Sequence, residues 1–175
     1  MKYDFDVMIA GGGMVGASLA VMFAASAPAL KIAIVERFPA DQSSEGEIAW
    51  QPSFDARATA LSSGSEAIFR RMGIWQQIAQ NACAISTVHV SQRGHWGSVS
   101  LQAHEHGVQA LGYIVENAWL GRVLLAHLRA LPAVSIISPA KVAAIVPANA
   151  NAGADADGVS IDVDANGGWL RHQED

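Results

Sequence analysis

Polar and apolar residues alternate and then give way to an apolar run in FDVMIA at residues 5–10; three glycines follow, and MVGASLAVMFAAS at 14–26 is small and apolar throughout. The pattern predicts a buried strand, a glycine turn and a buried helix. A second strand is expected in KIAIVE at 31–36, followed by a polar loop, RFPADQSSEGEIAWQPS. In FDARATALSSGSEAIFRRMGIW, Ser63 and Glu66 have capping-box spacing, Ile68, Phe69 and Met72 supply an apolar face, and Gly73 stops the helix. A short helix should run through IWQQIAQN. The segment AISTVHVSQRGHWGSVSLQ reads as two strands around a Gly-His-Trp-Gly turn, and NAWLGRVLLAHLRAL as an amphipathic helix. AVSIIS, KVAAIVPA and GVSIDVD are expected to be three successive strands, with the low-complexity tract NANAGADADG as the loop joining the last two. No internal repeat is visible.

The first apolar segment is long enough to be mistaken for a membrane span, because no residue from Val7 to Leu30 is charged. Three consecutive glycines would weaken such a helix by about 1 kcal/mol each relative to alanine. Asp4 and Asp6 also stand where a signal peptide carries positive charge. The run is therefore read as strand, turn and helix. A chain of 175 residues has the length of one domain, and its 51% hydrophobic and 15% charged content is that of a folded protein. A net charge of −5 without a basic cluster disfavours nucleic acid as a partner. Cys83 is the single cysteine, so no internal disulfide can form, and a small apolar role suits it better than a reactive one.

Gly11, Gly13 and Gly16 spell GxGxxG across the predicted turn. In such a turn the glycines let backbone N–H groups and a helix N-terminus approach a pyrophosphate. Glu36 ends the second strand 20 residues after Gly16, where the dinucleotide fold places an acid that accepts both adenosine ribose hydroxyls. The motif serves FAD and NAD alike. His104 and His106 flank Glu105 without helical metal-ligand spacing or a cysteine partner, and His89 and His95 belong to the predicted hairpin, so no metal site is expected. There is no GxSxG, no Walker sequence and no nucleophile with an evident base; the catalytic residues stay unassigned, and the chemistry is expected to come from a cofactor.

FDARATALSSGS at 54–65 resembles the segment after the second Rossmann strand in the flavin monooxygenases of ubiquinone biosynthesis. TVHVSQRGHWG and LGYIVEN sharpen the likeness toward members that hydroxylate a polyprenyl methoxyphenol, and the resemblance runs from about residue 5 to 164. It implies an α/β, Rossmann-like FAD-binding domain of the glutathione-reductase and aromatic-hydroxylase type over residues 1–175, with part of the substrate-side β segment around 84–113. By the same resemblance Gly11, Gly13 and Gly16 form the pyrophosphate turn and Glu36 is the ribose acid. Arg57 would steady the FAD phosphates, and Asn117 and Arg122 would be polar positions beside FAD at the start of a helix. The implied reaction has NAD(P)H reducing FAD, and O2 then hydroxylating a polyprenyl phenol, at the cytoplasmic face of the membrane and alongside other ubiquinone-biosynthesis proteins. Where that family continues after the GVSIDVDANGG hairpin into an Asp-Gly strand and a later Gly-Asp segment, this sequence has WLRHQED, and neither motif is present. The expectation is therefore an N-terminal portion that does not hydroxylate phenols by itself and leaves Phe5 to Ala10 as a sheet edge. The alternative is a nucleotide-binding or interaction module without catalysis.

Overall fold

The computed structural model describes residues 5–39, 54–147, 159–165 and 168–170. The chain divides into two compact units, one made of residues 1–53 and 124–175, the other of residues 54–123.

In the first unit, β1 (Val7–Ala10), α1 (Met14–Ser26) and β2 (Ile32–Val35) form where the periodicity places them. β1 pairs in parallel with β2, from Val7 opposite Ile32 to Ala10 opposite Val35. All four residues of β2 are buried, as expected of a strand inside a parallel sheet. α1 turns Ala17, Ala20, Val21 and Ala24 inward, and these small side chains let the helix lie close to the sheet. The third strand of this sheet comes from far along the chain and is the first of the three expected after the amphipathic helix. β8 (Val134–Ile137) runs parallel to β2, giving the order β1-β2-β8. Among the described residues β1 pairs only with β2. A second, antiparallel sheet has the order β11-β10-β9, from β9 (Ala140–Pro147), β10 (Val159–Ala165) and β11 (Gly168–Leu170). Val35, Ala140 and Val163 form a core cluster joined by Met8, Ile137, Val142 and Ile161. The tract NANAGADADG and most of the loop after Pro39 lie outside the described residues.

The second unit holds an antiparallel sheet of order β3-β7-β4, from β3 (Ala58–Ser62), β4 (Ala82–Ile85) and β7 (Gly112–Glu116). Its core is built around Ile74, Ile78, Val115 and Leu120, and Trp75 meets Tyr113 edge to face at 4.8 Å. α2 (Ser63–Arg71) and α3 (Trp75–Ala79) connect β3 to β4. Two expectations change here. Ser62, not Ser63, caps α2: its hydroxyl accepts from the Ser65 backbone N–H at 3.2 Å, so the helix begins one residue earlier than the capping-box spacing places it. The segment from Ala84 also holds more than a hairpin. Its start belongs to β4 in the larger sheet, and only β5 (Thr87–Ser91) and β6 (Ser98–Gln102) form the two-stranded ribbon. Ala103–His106, with the two histidines beside Glu105, is a 3-10 turn. The boundary between the units falls inside α4 (Asn117–Arg129). Among the described residues no helix is long and apolar enough to cross a membrane.

Candidate functional site

In the first unit the glycine turn joins the C-terminal end of β1 to α1. Gly11 has φ +98, a conformation L side chains rarely adopt, and its N–H donates to the Val35 carbonyl at 2.8 Å. Gly16 lies against the turn itself: a Cβ there would collide with the Gly11 carbonyl oxygen and come within 3.2 Å of the Ile9 side chain. Gly13 stands just before α1 at φ −66 and ψ −174, an extended conformation open to any residue. Glycine at 13 is therefore not demanded by the backbone.

α1 starts without a side-chain cap and without an acidic residue in its first turn. Its first N–H groups thus have no carboxylate or hydroxyl acceptor from the helix start, and the positive end of the helix dipole is left for an anion. The other long helices begin differently. α2 is capped by Ser62 and has Glu66 in its first turn. At α4 the Asn117 and Ala118 N–H groups donate to the Arg57 and Asp55 carbonyls at 2.8 and 3.1 Å.

Glu36 follows β2, and only 8% of it is exposed. One carboxylate oxygen accepts the Gly12 N–H at 2.6 Å and the other accepts the Phe38 N–H at 2.9 Å. Its backbone is held as well, its N–H by the Ile137 carbonyl at 2.9 Å and its carbonyl by the Ala140 N–H at 2.7 Å. Four hydrogen bonds fix this residue, one of them from the glycine turn. An ionised carboxylate has about four acceptor positions, so two backbone partners leave capacity for ligand hydroxyls. Gly12, the variable position of the motif, takes part too: a Cβ there would lie 3.2 Å from Glu36 Oε2 and 3.3 Å from Ile34. The spacing of the motif leaves Gly12 out, although as the middle of three consecutive glycines it was the visible signal.

In the second unit Arg57, Asn117 and Thr59 are gathered around Asp55. The Arg57 backbone N–H donates to Asp55 Oδ1 at 3.0 Å and its Nε to Oδ2 at 2.6 Å, while the arginine side chain stays 75% exposed. Asn117, only 3% exposed, donates to Asp55 Oδ1 at 3.1 Å and accepts from Thr59 Oγ1 at 2.6 Å. Asn117 therefore spends its amide inside the protein, fixing the loop that carries Arg57. Arg122 is exposed and lies over the Trp119 ring at 5.6 Å. Five residues of helix separate Asn117 from Arg122, which sets them about 140° apart around the axis. The two do not share a face.

The Asp55 carboxyl is held below its ordinary 3.8 chiefly by the hydrogen bond from the Arg57 backbone N–H; partial desolvation opposes this, and the Arg57 side chain and the Asn117 amide reinforce it. A depressed folded-state value means stability that is present above the unfolded value and lost as pH falls through the folded one. Thermal unfolding of Asp55→Asn, compared with wild type from neutral pH down through 3.8 and below, should show a smaller loss of stability on acidification. Identical acid limbs would show that the Asp55 contacts do not persist in solution. Among the described residues no group of three or more His, Cys, Asp or Glu side chains is placed to share a metal ion.

No family model matches the chain. In sequence it is 26% identical over 145 residues to the ubiquinone hydroxylase UbiL of Rhodospirillum rubrum, an alignment covering 80% of this chain and 30% of that protein. It is 29% identical over 140 residues to the 3-demethoxyubiquinol 3-hydroxylase of Escherichia coli, covering 80% and 34% respectively. The chain spans about a third of the length of these curated relatives. Among solved structures it resembles an aklavinone-11 hydroxylase, determined in a ternary complex with FAD and aklavinone, with a TM-score of 0.68 at 18% identity over 97% of this chain and 31% of the other. That likeness establishes the fold.

Proposed function

We propose that this chain, a relative of the ubiquinone hydroxylases with the fold of an FAD-containing aromatic hydroxylase, is the nucleotide-binding portion of a flavin-dependent monooxygenase acting on a prenylated phenol. The observation that carries the reading is the N-terminus of α1, which has no side-chain cap, no acidic first turn, and a glycine packed where a Cβ would strike the turn. Such an end fits a pyrophosphate. FAD, when bound, would supply the redox chemistry, taking electrons from NAD(P)H and activating O2 for insertion into an electron-rich ring. The chain's own residues would bind and orient it. Gly11 and Gly13 would let the backbone approach the pyrophosphate, and Glu36, already aligned by Gly12 and Phe38, would accept from the adenosine ribose. Arg57 would offer a guanidinium to the phosphates, its loop anchored by Asp55 and Asn117. A substrate with a prenyl chain would be met at the cytoplasmic face of a membrane.

Titrating FAD into the purified chain and following flavin fluorescence tests the reading, with Gly13→Val as the discriminating variant. The Gly13 backbone is one that valine adopts, and replacing glycine at the helix N-cap costs at most about 1 kcal/mol, so the variant should stay folded while binding FAD about tenfold or more weakly. Equal affinity in the two proteins would remove the turn from the site.

A further inference from the structure

Arg57 is exposed, yet its guanidinium is not left to sweep through solvent. Its Nε donates to Asp55 Oδ2 at 2.6 Å, and among the described residues nothing is hydrogen-bonded to its two terminal nitrogens. The two oxygens of Asp55 have separate tasks. Oδ1 accepts from the Arg57 backbone N–H at 3.0 Å and from the Asn117 amide at 3.1 Å, so it holds the loop, whereas Oδ2 takes the guanidinium. The carboxylate has little freedom of its own. The Asp55 carbonyl accepts the Ala118 N–H at 3.1 Å, Asn117 is fixed in turn by the Thr59 hydroxyl, and the preceding Phe54 is buried with its ring where a Cβ on Gly121 would stand. An exposed arginine ordinarily gives up its rotamer freedom only when a ligand arrives, and that loss weakens binding. Here most of it is given up on folding.

The geometry points to Asp55 as a positioning residue: by holding Nε it presents the paired terminal nitrogens of Arg57 as a two-pronged donor for one phosphate of the bound nucleotide. Such a fork matches two phosphate oxygens at once. The inference rests on the function proposed above, in which that nucleotide is FAD. Asp55 is also an anion beside an anion-binding group, so its charge opposes the phosphate while its hydrogen bond aims the guanidinium. The two effects predict opposite signs for Asp55→Asn. An asparagine with its amide oxygen at the Oδ1 position keeps both loop bonds and turns its NH2 toward Nε, so the aiming bond alone is lost and a repelling charge goes with it. The repulsion acts across solvent and is screened by salt, whereas the hydrogen bond acts at 2.6 Å. Positioning is therefore the larger effect, and FAD binding weakens in the variant.

The test is a double-mutant cycle on FAD affinity in the full chain, with Asp55→Asn, Arg57→Gln and the double variant titrated by flavin fluorescence beside wild type, and urea unfolding run on all four. Asp55→Asn should weaken FAD about fivefold when Arg57 is present, and by less than about twofold when Arg57 is already glutamine, because the carboxylate then has nothing to aim. A loss of stability alone would lower affinity equally in both backgrounds. The Arg57 Nε–H proton resonance, identified by its absence in Arg57→Gln, gives a second readout that needs no ligand: it should be protected from solvent exchange in wild type and lose that protection in Asp55→Asn. FAD binding by Asp55→Asn as tight as that of wild type or tighter, equal losses in both backgrounds, or an unprotected Nε–H in wild type would each overturn the inference. Absence of FAD binding in wild type would overturn both this inference and the function it rests on, a result the other three cannot produce.

Discussion

Gly16→Val should unfold the first unit and remove FAD binding with it. The Cβ of any residue at 16 meets the Gly11 carbonyl oxygen and the Ile9 side chain, and the carbonyl belongs to backbone that cannot swing aside like the end of a side chain. Relief requires α1 to lift from β1, which uncovers the face made by Ala17, Ala20, Val21 and Ala24. Overpacking of this kind costs about 3 kcal/mol or more. Urea unfolding should report a stability loss of that size, and FAD affinity should fall by about a hundredfold or more. The contrast with Gly13→Val is what gives the pair its force: the same side chain three residues apart should break the scaffold at one position and only the ligand contact at the other. Matching unfolding curves for Gly16→Val and wild type would mean that helix and strand are not packed this closely.

The second large effect is expected from Glu36→Ala. The truncation leaves a buried Gly12 N–H and a part-buried Phe38 N–H without the acceptor they now share. Losing hydrogen bonds to a charged group and stranding a buried donor costs about 2 to 4 kcal/mol in sum. Glu36→Gln keeps one carbonyl oxygen but turns an amide NH2 toward the other donor, so about half of that loss should remain. Calorimetry with FAD then separates two roles for this one carboxylate. If affinity per folded molecule drops with the alanine variant, Glu36 touches the ligand; if only stability drops, it is a brace for the glycine turn.

The residues that settle the first unit were readable because their signals are local. An apolar run, three glycines and a second apolar run ending in glutamate predict β1, α1 and β2 almost to the residue. β3 was invisible for the opposite reason. ATALS has little of the β-branched or aromatic character of a strand, and it is extended because β7 lies beside it, with Ala58 opposite Glu116 and Ser62 opposite Gly112. The cap of α2 slipped by one residue because consecutive serines at 62 and 63 each offer a hydroxyl, and only the pairing of β3 decides which stands at the helix start. At the site, spacing located Glu36 but not its partners. That Gly12 donates to it depends on how closely two strands approach, which no spacing rule carries. Asn117 was expected beside FAD at the start of a helix; its burial, which spacing does not carry, follows from the loop at Asp55 and Arg57 lying over the start of α4.

The parallel sheet also fixes an order of events in the life of the chain. β2 is the middle strand, and one of its neighbours, β8, is about a hundred residues further along the chain, with Ile32 opposite Val134. Closing so long a loop is slow compared with forming contacts between near neighbours. On the ribosome, Phe54–Val123 emerges as one continuous piece and can fold before β8 exists. Glu36 stays without its bonds to Ile137 and Ala140 until both of those residues have been synthesised. The glycine turn is thus among the first segments to be translated, yet the acid beside it gains its full support only after about four fifths of the chain has been made.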